Sequence, residues 1–135
     1  AGITGVSHRA RPPLWVLTIT GVINTYTKMY FYFEWNQDKN HSNQRKHRVS
    51  FEIAQRVFLD PNHLAVLERI EDGEERWQTI GMVGSCLLLL VAHTTIETDV
   101  EGDTVEIVRI ISARKADAKE RGRYEAQKFR QKSGP

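Results

Sequence analysis

Four polar side chains in one short segment have the types and spacing needed to act on an anionic ligand. Lys39, Asn43, Lys46 and His47 occur at i, i+4, i+7 and i+8, so in a helix with about 100° per residue they fall within one arc of roughly 100°. Ammonium groups can neutralise phosphate charge, and an imidazole can act as a general acid or base near neutral pH. A solvated helix surface is the usual alternative for such a polar run.

The segment that carries these residues is compatible with a helix but has almost no apolar side chain between Trp35 and Phe51. A helix of about a dozen residues is marginal alone and needs tertiary contacts. We therefore expect part of its polar face to contact the domain or to line a cleft, with Asn36 as its N-cap.

Three arginines are further candidates for binding phosphate. Arg109 lies within a strand-like run of apolar residues, so its guanidinium needs acceptors. Arg114 follows that strand in a more open position, and Arg76 alternates with Trp77, which we predict to lie in the core. A structural ion pair is as well supported for Arg109 as a phosphate contact, and the carboxylates that could provide it are Glu34, Asp60 and Glu75.

The composition indicates one compact domain with a real core, since the chain has 135 residues of which 40% are hydrophobic and 27% charged. A formal net charge of +2 is too small to argue for nucleic-acid binding. The charges are nevertheless segregated, with acidic side chains in residues 68–75 and 97–106 and basic ones in residues 39–48 and from Arg109 onward. Two basic segments could converge on one acidic ligand.

The single cysteine and the histidine spacing limit the possible chemistry. Cys86 opens a leucine run, so we expect a buried, inert thiol, and no disulfide can form within the chain, which suits a reducing cytoplasm. His41 and His47 do not share a helix face, and no other cluster has the spacing of metal ligands. We therefore predict neither a metal site nor a cofactor.

The first 28 residues are interpreted as an N-terminal extension that is not part of the functional domain. Residues 14–23 form an apolar run that is too short to span a bilayer by the criterion of about 20 residues, and no convincing signal-peptide cleavage site follows it. Met29 stands directly before a strand-like run. The functional domain is therefore expected to comprise residues 29–135, with no association with a membrane.

The pattern from Met29 onward predicts an α+β fold. Its predicted order is a strand, two helices, a meander of about four strands and a C-terminal helix. Short connections favour antiparallel neighbours. The Asp72-Gly73 pair predicts a hairpin turn, and Asp117 followed by Glu120 predicts a capping box at the start of the last helix. The predicted elements span residues 29–35, 36–48, 50–58, 64–70, 75–80, 86–93, 104–112 and 117–128.

Several motifs, in order, resemble the BrnT toxin family over residues 29–125. This resemblance is carried by Phe33-Glu34-Trp35, Lys39, Asn43, Lys46-His47, Val49-Ser50-Phe51-Glu52, Gly73-Glu74-Glu75-Arg76-Trp77, Arg109-Ile110-Ile111-Ser112-Ala113-Arg114, Glu120-Arg121 and Tyr124-Glu125. It implies a RelE-like fold with an antiparallel sheet of about four to five strands, two N-terminal helices and one C-terminal helix.

The resemblance also implies a function and a partner. Members of the family are toxins of type II toxin–antitoxin systems, whose ribonuclease activity arrests translation. The implied partner is a BrnA-like antitoxin, whose ribbon-helix-helix portion dimerises and binds operator DNA. The chain departs from the family at Asn36, where aspartate is common, and at Arg48, where glycine is frequent at the end of the helix.

RNA cleavage of this kind needs no metal, because the 2′-hydroxyl is the nucleophile and the protein supplies a base, an acid and cations. We assign His47 as acid or base, Lys39 and Lys46 to phosphate charge, and three arginines to the transition state. Asn43, Arg121 and Tyr124 are assigned to RNA binding, although packing is an equal alternative for Tyr124. The transition-state arginines are Arg76, Arg109 and Arg114.

Two other classes of function fit the same residues. A non-catalytic module could use the basic surface to hold nucleic acid or an acidic antitoxin, and it would shift RNA mobility without shortening the RNA. Alternatively, the polar helix could be purely structural, in which case neutral substitutions at Lys39 and Lys46 would destabilise the fold and leave ligand affinity unchanged.

Overall fold

The computed structural model describes residues 18–22 and 28–132, which form an α+β fold around one mixed sheet. Within this part of the chain the sheet has six strands in the order β1-β2-β6-β5-β4-β3. The strands are β1 (Thr18–Val22), β2 (Lys28–Glu34), β3 (Leu64–Glu71), β4 (Glu74–Val83), β5 (Leu87–Val100) and β6 (Asp103–Lys115), and the helices are α1 (Gln37–His47), α2 (Phe51–Ala54), which continues as a 3-10 turn (Gln55–Leu59), and α3 (Ala118–Lys132).

The predicted class, the four-strand meander and the C-terminal helix are confirmed, while the sheet and the helix order differ from the prediction. The sheet is mixed because the meander brings β6 back beside β2 in parallel. The predicted order of strand, two helices, meander and helix holds from β2 onward, but β1 and β2 precede the two helices, so these are not N-terminal as the resemblance implied. Strand β1 pairs antiparallel with β2. It lies within residues 1–28, whose exclusion from the functional domain stays a prediction.

Two of the three hairpins in the meander have two-residue turns with positive φ at both positions. Asp72 and Gly73 have φ of 52° and 76°, so the predicted Asp-Gly turn between β3 and β4 is confirmed. Glu101 and Gly102 have φ of 51° and 88° and form the same kind of turn between β5 and β6. Residues 94–103, which lie between two predicted strands, are instead mostly strand, because this two-residue turn lets both strands continue to its edge.

The leucine run in β5 is buried on both faces of the sheet. Leu89 and Val91 belong to a core cluster that packs against α2 and the 3-10 turn. Leu88 and Leu90 belong to a second cluster with Tyr124 of α3. The helices therefore lie on different sides of the sheet, with α2 on one face and α3 on the other.

Cys86 is exposed, so the expectation of a buried thiol is wrong. The reason is that β4 ends at Val83 and Gly84 adopts φ of 66°, which places Cys86 in the turn before β5 and not in the strand. Among the helices that the structure describes, none has the length and apolar character to cross a membrane.

Candidate functional site

Helix α1 begins at the predicted N-cap. The Asn36 side chain accepts a hydrogen bond from the backbone N–H of Lys39 at 3.0 Å, which satisfies one of the free amide groups at the helix start. At the other end Arg48 adopts the left-handed conformation with φ of 61°, and its N–H bonds to the carbonyl of Gln44. The helix thus ends with the geometry that glycine usually provides, even though arginine occupies the position.

Two buried asparagines attach α1 to the domain in place of an apolar stripe. Asn40 donates to Glu52 Oε1 at 2.9 Å and accepts from the N–H of Phe51 at 2.9 Å. Asn43 donates to the carbonyls of Val49 and Ala113 at 2.9 and 2.8 Å and accepts from the N–H of Ala113 at 3.1 Å. The expectation that part of the polar face contacts the domain is therefore confirmed.

Asn43 occupies the edge of β6 that β2 leaves open. Pairing of β2 with β6 ends at Glu34 and Arg109, and the Asn43 amide bonds both the N–H and the carbonyl of Ala113, as a neighbouring strand would. Because Asn43 is 6% exposed and its amide is used in this way, the structure places it inside the domain and not on a surface that RNA could contact.

The other three residues of the α1 arc remain accessible. Lys39 and Lys46 are exposed, and His47 is half-buried. His47 lies one helical turn beyond Asn43, on the side of α1 that carries the buried amides. Within the described part of the chain, no group of three or more histidine, cysteine, aspartate or glutamate side chains could hold a metal ion.

The three candidate arginines lie on one face of the sheet, here called the arginine face and defined by Arg76, Arg109 and Arg114. Residues paired across neighbouring strands share a face. Thr94 pairs with both Arg76 and Arg109, and Leu90, on the same face of β5, pairs with Arg114. Arg109, expected beside apolar side chains, is instead exposed, because this end of the face is not covered by α3.

Arg76 borders a hollow of about 370 Å³ on the arginine face. Its Nε lies 3.4 Å from Glu68 Oε2, so part of its charge is already compensated. Acidic side chains of the β3–β4 hairpin form the rim of the hollow. Its lining residues are Glu71, Asp72, Glu74, Arg76, Thr94 and Ile111.

Arg114, which we expected to be open, is engaged by α3. Its two terminal nitrogens donate to the two carboxylate oxygens of Glu120, both at 2.8 Å. These bonds lower the pKa of Glu120. Glu120 also accepts from the N–H of Asp117, whose side chain accepts from the N–H of Glu120, so the predicted capping box is confirmed.

The two candidates on α3 have different surroundings. Arg121 is exposed. Tyr124 is 1% exposed, and its hydroxyl donates to Asp60 Oδ2 at 2.6 Å. The packing alternative that the sequence left open for Tyr124 therefore matches its position.

Sequence reasoning missed two residues that the structure makes conspicuous. Tyr32 pairs with Ile107, which puts its ring on the arginine face, and it is 39% exposed; the aromatic run had indicated only a strand. His93 is 3% exposed, with Nε2 2.7 Å from Thr79 Oγ1 and Nδ1 3.2 Å from Thr95 Oγ1. Burial lowers the pKa of His93 to about 4.

These positions assemble around one segment of β6, residues 109–114. Arg109 and Arg114 project from its two ends onto the arginine face, and Asn43 attaches α1 along its open edge at Ala113. Helix α1, with Lys39, Lys46 and His47, therefore borders the same strand segment as the arginines. Arg76 lies two strands away, in the same row as Arg109.

A family model described as "Ribonuclease toxin, BrnT, of type II toxin-antitoxin system" matches residues 35–120. The match covers more than half of the chain and includes α1, the hairpins and the start of α3. A comparison with curated proteins finds no significant match.

Proposed function

The chain belongs to the BrnT family of ribonuclease toxins of type II toxin–antitoxin systems, and we propose that it is a metal-independent endoribonuclease that arrests translation by cleaving RNA. The observation that carries this proposal is the attachment of α1 to β6. Asn43 bonds both backbone groups of Ala113, so a helix that carries Lys39, Lys46 and His47 lies beside a strand segment with an arginine at each end.

The reaction uses groups that this arrangement supplies. A base removes the proton of the 2′-hydroxyl, the 2′-oxygen attacks phosphorus, and the 5′-oxygen leaves with a proton from an acid. The products are a 2′,3′-cyclic phosphate and a 5′-hydroxyl. Charge accumulates on the nonbridging oxygens in the transition state, and fixed cations stabilise it.

Each candidate has a role in this scheme. His47 is the acid or the base, and Lys39 and Lys46 neutralise the phosphate charge. Arg76 and Arg109 stabilise the transition state from the arginine face. Arg114 acts there too, held in position by its two bonds to Glu120.

The RNA on either side of the scissile bond has its own contacts. The exposed guanidinium of Arg121 holds flanking phosphate, and the exposed ring of Tyr32 stacks on a base, since aromatic side chains on an open sheet face commonly bind single-stranded RNA. Tyr124 supports α3 through Asp60, and Asn43 positions α1. These two residues therefore act on the site without touching RNA.

The test is cleavage of a purified RNA with a metal chelator present. We expect His47→Ala and Arg114→Ala each to abolish cleavage at a temperature where the variant is folded. His47→Ala should leave the melting temperature close to that of the parent. Arg114→Ala should lower it, because Glu120, whose side chain is 11% exposed, loses both bonds to the guanidinium. Arg45→Ala, at an exposed cation of α1, is the matched control and should cleave normally. Retained cleavage in both site variants would refute the assigned roles.

The same assay separates catalysis from binding alone. A non-catalytic module would retard labelled RNA in a gel without producing shorter fragments. An enzyme with the proposed chemistry yields fragments that end in a cyclic phosphate.

We also propose the cellular setting that follows from the family. The toxin acts in the cytoplasm on RNA, and a BrnA-like antitoxin with a ribbon-helix-helix portion inhibits it and carries the complex to operator DNA. The functional domain is proposed to be residues 29–135, in keeping with a family match that begins at Trp35. Deletion of residues 1–28 should preserve cleavage and melting temperature, and a large loss of either would contradict this boundary.

A further inference from the structure

A second hollow lies away from the proposed catalytic residues, between the 3-10 turn, the β4–β5 turn and α3. Its volume is about 570 Å³, which is within the range of sites that bind ligands of drug size. We call it the Asp60 hollow. Its lining residues are Arg56, Leu59, Asp60, Asn62, Met82, Val83, Gly84, Ser85, Tyr124 and Lys128.

The Asp60 carboxylate in this hollow accepts hydrogen bonds from three groups of the protein itself. Asp60 accepts from the Tyr124 hydroxyl at 2.6 Å, from the N–H of Met82 at 2.8 Å and from the N–H of Asn62 at 2.9 Å. Burial alone would raise the pKa of Asp60, but these hydrogen bonds outweigh it, so the pKa lies below its usual value. The carboxylate is thus a structural link between three elements.

The two cations of the hollow, Arg56 and Lys128, have no such structural role. Arg56 and Lys128 form no salt bridge with the other residues that the structure describes. The available charge in the hollow is therefore positive, and it suits an acidic ligand.

Apolar side chains surround these two charges. Leu59 lines the hollow and is 56% exposed. Met82 and Val83 contribute half-buried surface. Exposed apolar groups beside a pocket with cations are typical of protein-binding surfaces.

We propose that the Asp60 hollow binds a segment of the antitoxin in which acidic side chains flank an apolar one. The apolar side chain lies against Leu59 and Met82, and the carboxylates pair with Arg56 and Lys128. This inference rests on the proposed function, since it assigns a site to the protein partner of a toxin. RNA fits less well, because base stacking needs an exposed aromatic ring and the Tyr124 ring is buried.

The chain carries its own reporter for this site. Cys86 is its single cysteine; it is exposed and directly follows Gly84 and Ser85 of the lining. An environment-sensitive fluorophore attached to Cys86 can be titrated with a short peptide of glutamate and leucine, a peptide of lysine and leucine, and oligouridine. We expect a saturable signal with the acidic peptide and none with the basic peptide.

Charge reversal at the two cations then tests the recognition. In the double variant Arg56→Glu and Lys128→Glu, we expect affinity for the acidic peptide to fall by about tenfold or more and the basic peptide to bind instead. The matched control is Arg45→Glu with Lys119→Glu, which reverses two exposed cations outside the hollow and should leave peptide affinity unchanged. Cleavage of RNA by the hollow variant should stay within about twofold of the parent.

Three results would overturn the proposal. A saturable signal with oligouridine that the reversal abolishes would make the hollow a nucleic-acid site. No signal with any probe, or equal losses in the hollow and control variants, would mean that the hollow is not a binding site. A chain that binds the acidic peptide but never cleaves RNA would refute the proposed enzyme activity and leave the peptide site intact, so the two failures are distinguishable.

Discussion

Helices α1 and α3 are both rich in cations, but they are attached to the sheet by different chemistry. Helix α1 is held by neutral amides, since Asn40 and Asn43 bond backbone and side-chain groups in the interior. Helix α3 is held by ionised carboxylates, since Glu120 bonds Arg114 and Asp60 accepts from Tyr124. Because α1 is attached through neutral amides, none of its cations takes part in the attachment. The attachment of α3, in contrast, pairs one of the candidate arginines, Arg114, with Glu120.

This difference separates the two helices in function as well as in stability. The α1 cations lie beside β6 without a structural task in its docking, which suits a role in binding phosphate. On α3 the buried side carries the structural charges, and the accessible cations border the Asp60 hollow or solvent. Charge substitutions at Lys39 and Lys46 should therefore change activity without loss of stability, whereas substitutions at the α3 anchors should lower stability.

The largest effect is expected at the amide anchor. Replacing Asn43 by leucine leaves the N–H and carbonyl of Ala113 and the carbonyl of Val49 without their bonds. An unsatisfied buried group costs about 1–3 kcal/mol, so we expect a loss of about 3–5 kcal/mol in the free energy of unfolding, together with loss of cleavage. Urea denaturation measures the former.

Ser42→Ala is the control for Asn43→Leu, because Ser42 is exposed on the same helix. It should change the free energy of unfolding by less than about 0.5 kcal/mol. If Asn43→Leu were as stable as this control, the amide would not be what attaches α1.

The sequence predicts that α1 needs polar contacts, but not which side chain makes them. The absence of an apolar stripe between Trp35 and Phe51 is a local property, so it is visible in the sequence. The partner of Asn43 is Ala113, seventy positions away, and a backbone partner has no side-chain signature. Asn43 was therefore assigned to RNA from its place on the arc, although its neighbours on the arc remained accessible as expected.

The next largest effect is expected on the free energy of unfolding when the pH is lowered. Burial lowers the pKa of His93 to about 4, below the value of about 6.5 of an unfolded histidine. The unfolded state therefore binds more protons between these values, so stability is complete above pH 6.5 and falls as the pH drops toward 4. The loss amounts to roughly 3 kcal/mol. The pKa values of Asp60 and Glu120 are also lowered, so the stability that these carboxylates contribute is complete above their usual pKa and is lost as the pH falls from that value toward the lowered ones.

Free energies of unfolding measured from pH 7 to pH 4 test whether His93 controls the loss of stability in this range. His93→Gln keeps a polar side chain at the position and removes the titration, so it should flatten the slope between pH 6.5 and 4. A slope that persists in this variant would mean that another group controls acid stability.

A smaller effect is expected when the hydrogen bond between Tyr124 and Asp60, which anchors α3, is removed. Tyr124→Phe removes the hydroxyl that donates to Asp60 at 2.6 Å and preserves the ring in its buried cluster. A hydrogen bond to a charged group contributes about 1.5–3 kcal/mol, so we expect a loss near the lower end, because Asp60 keeps two backbone donors. RNA cleavage at a temperature where the variant is folded should be unchanged, and a large loss of cleavage would instead place Tyr124 in contact with RNA.

The arginines show how far the site could be predicted. Strand periodicity correctly put Arg76 opposite to Trp77, and β-sheet register then joins it to Arg109 through Thr94. Which arginine is covered depends on where α3 crosses the sheet, and that follows from Leu88 and Leu90 packing on Tyr124. For this reason Arg109 proved open and Arg114 paired, the reverse of the expectation from the strand alone.

The smallest effect is expected at the end of α1, where an arginine adopts the left-handed conformation that glycine usually provides. Arg48 holds φ of 61°, and this left-handed conformation costs a residue with a Cβ about 1 kcal/mol relative to glycine. Arg48→Gly should therefore stabilise the domain by up to about 1 kcal/mol and raise the melting temperature by a few degrees. Because the backbone bond from residue 48 to Gln44 is unaffected, His47 keeps its place and cleavage should be retained.

The control variant, Arg48→Ala, keeps the Cβ and removes the charge, so its free energy of unfolding should not increase. Equal stabilisation by both substitutions would show that relief of charge repulsion among the α1 cations, and not of backbone strain, is responsible.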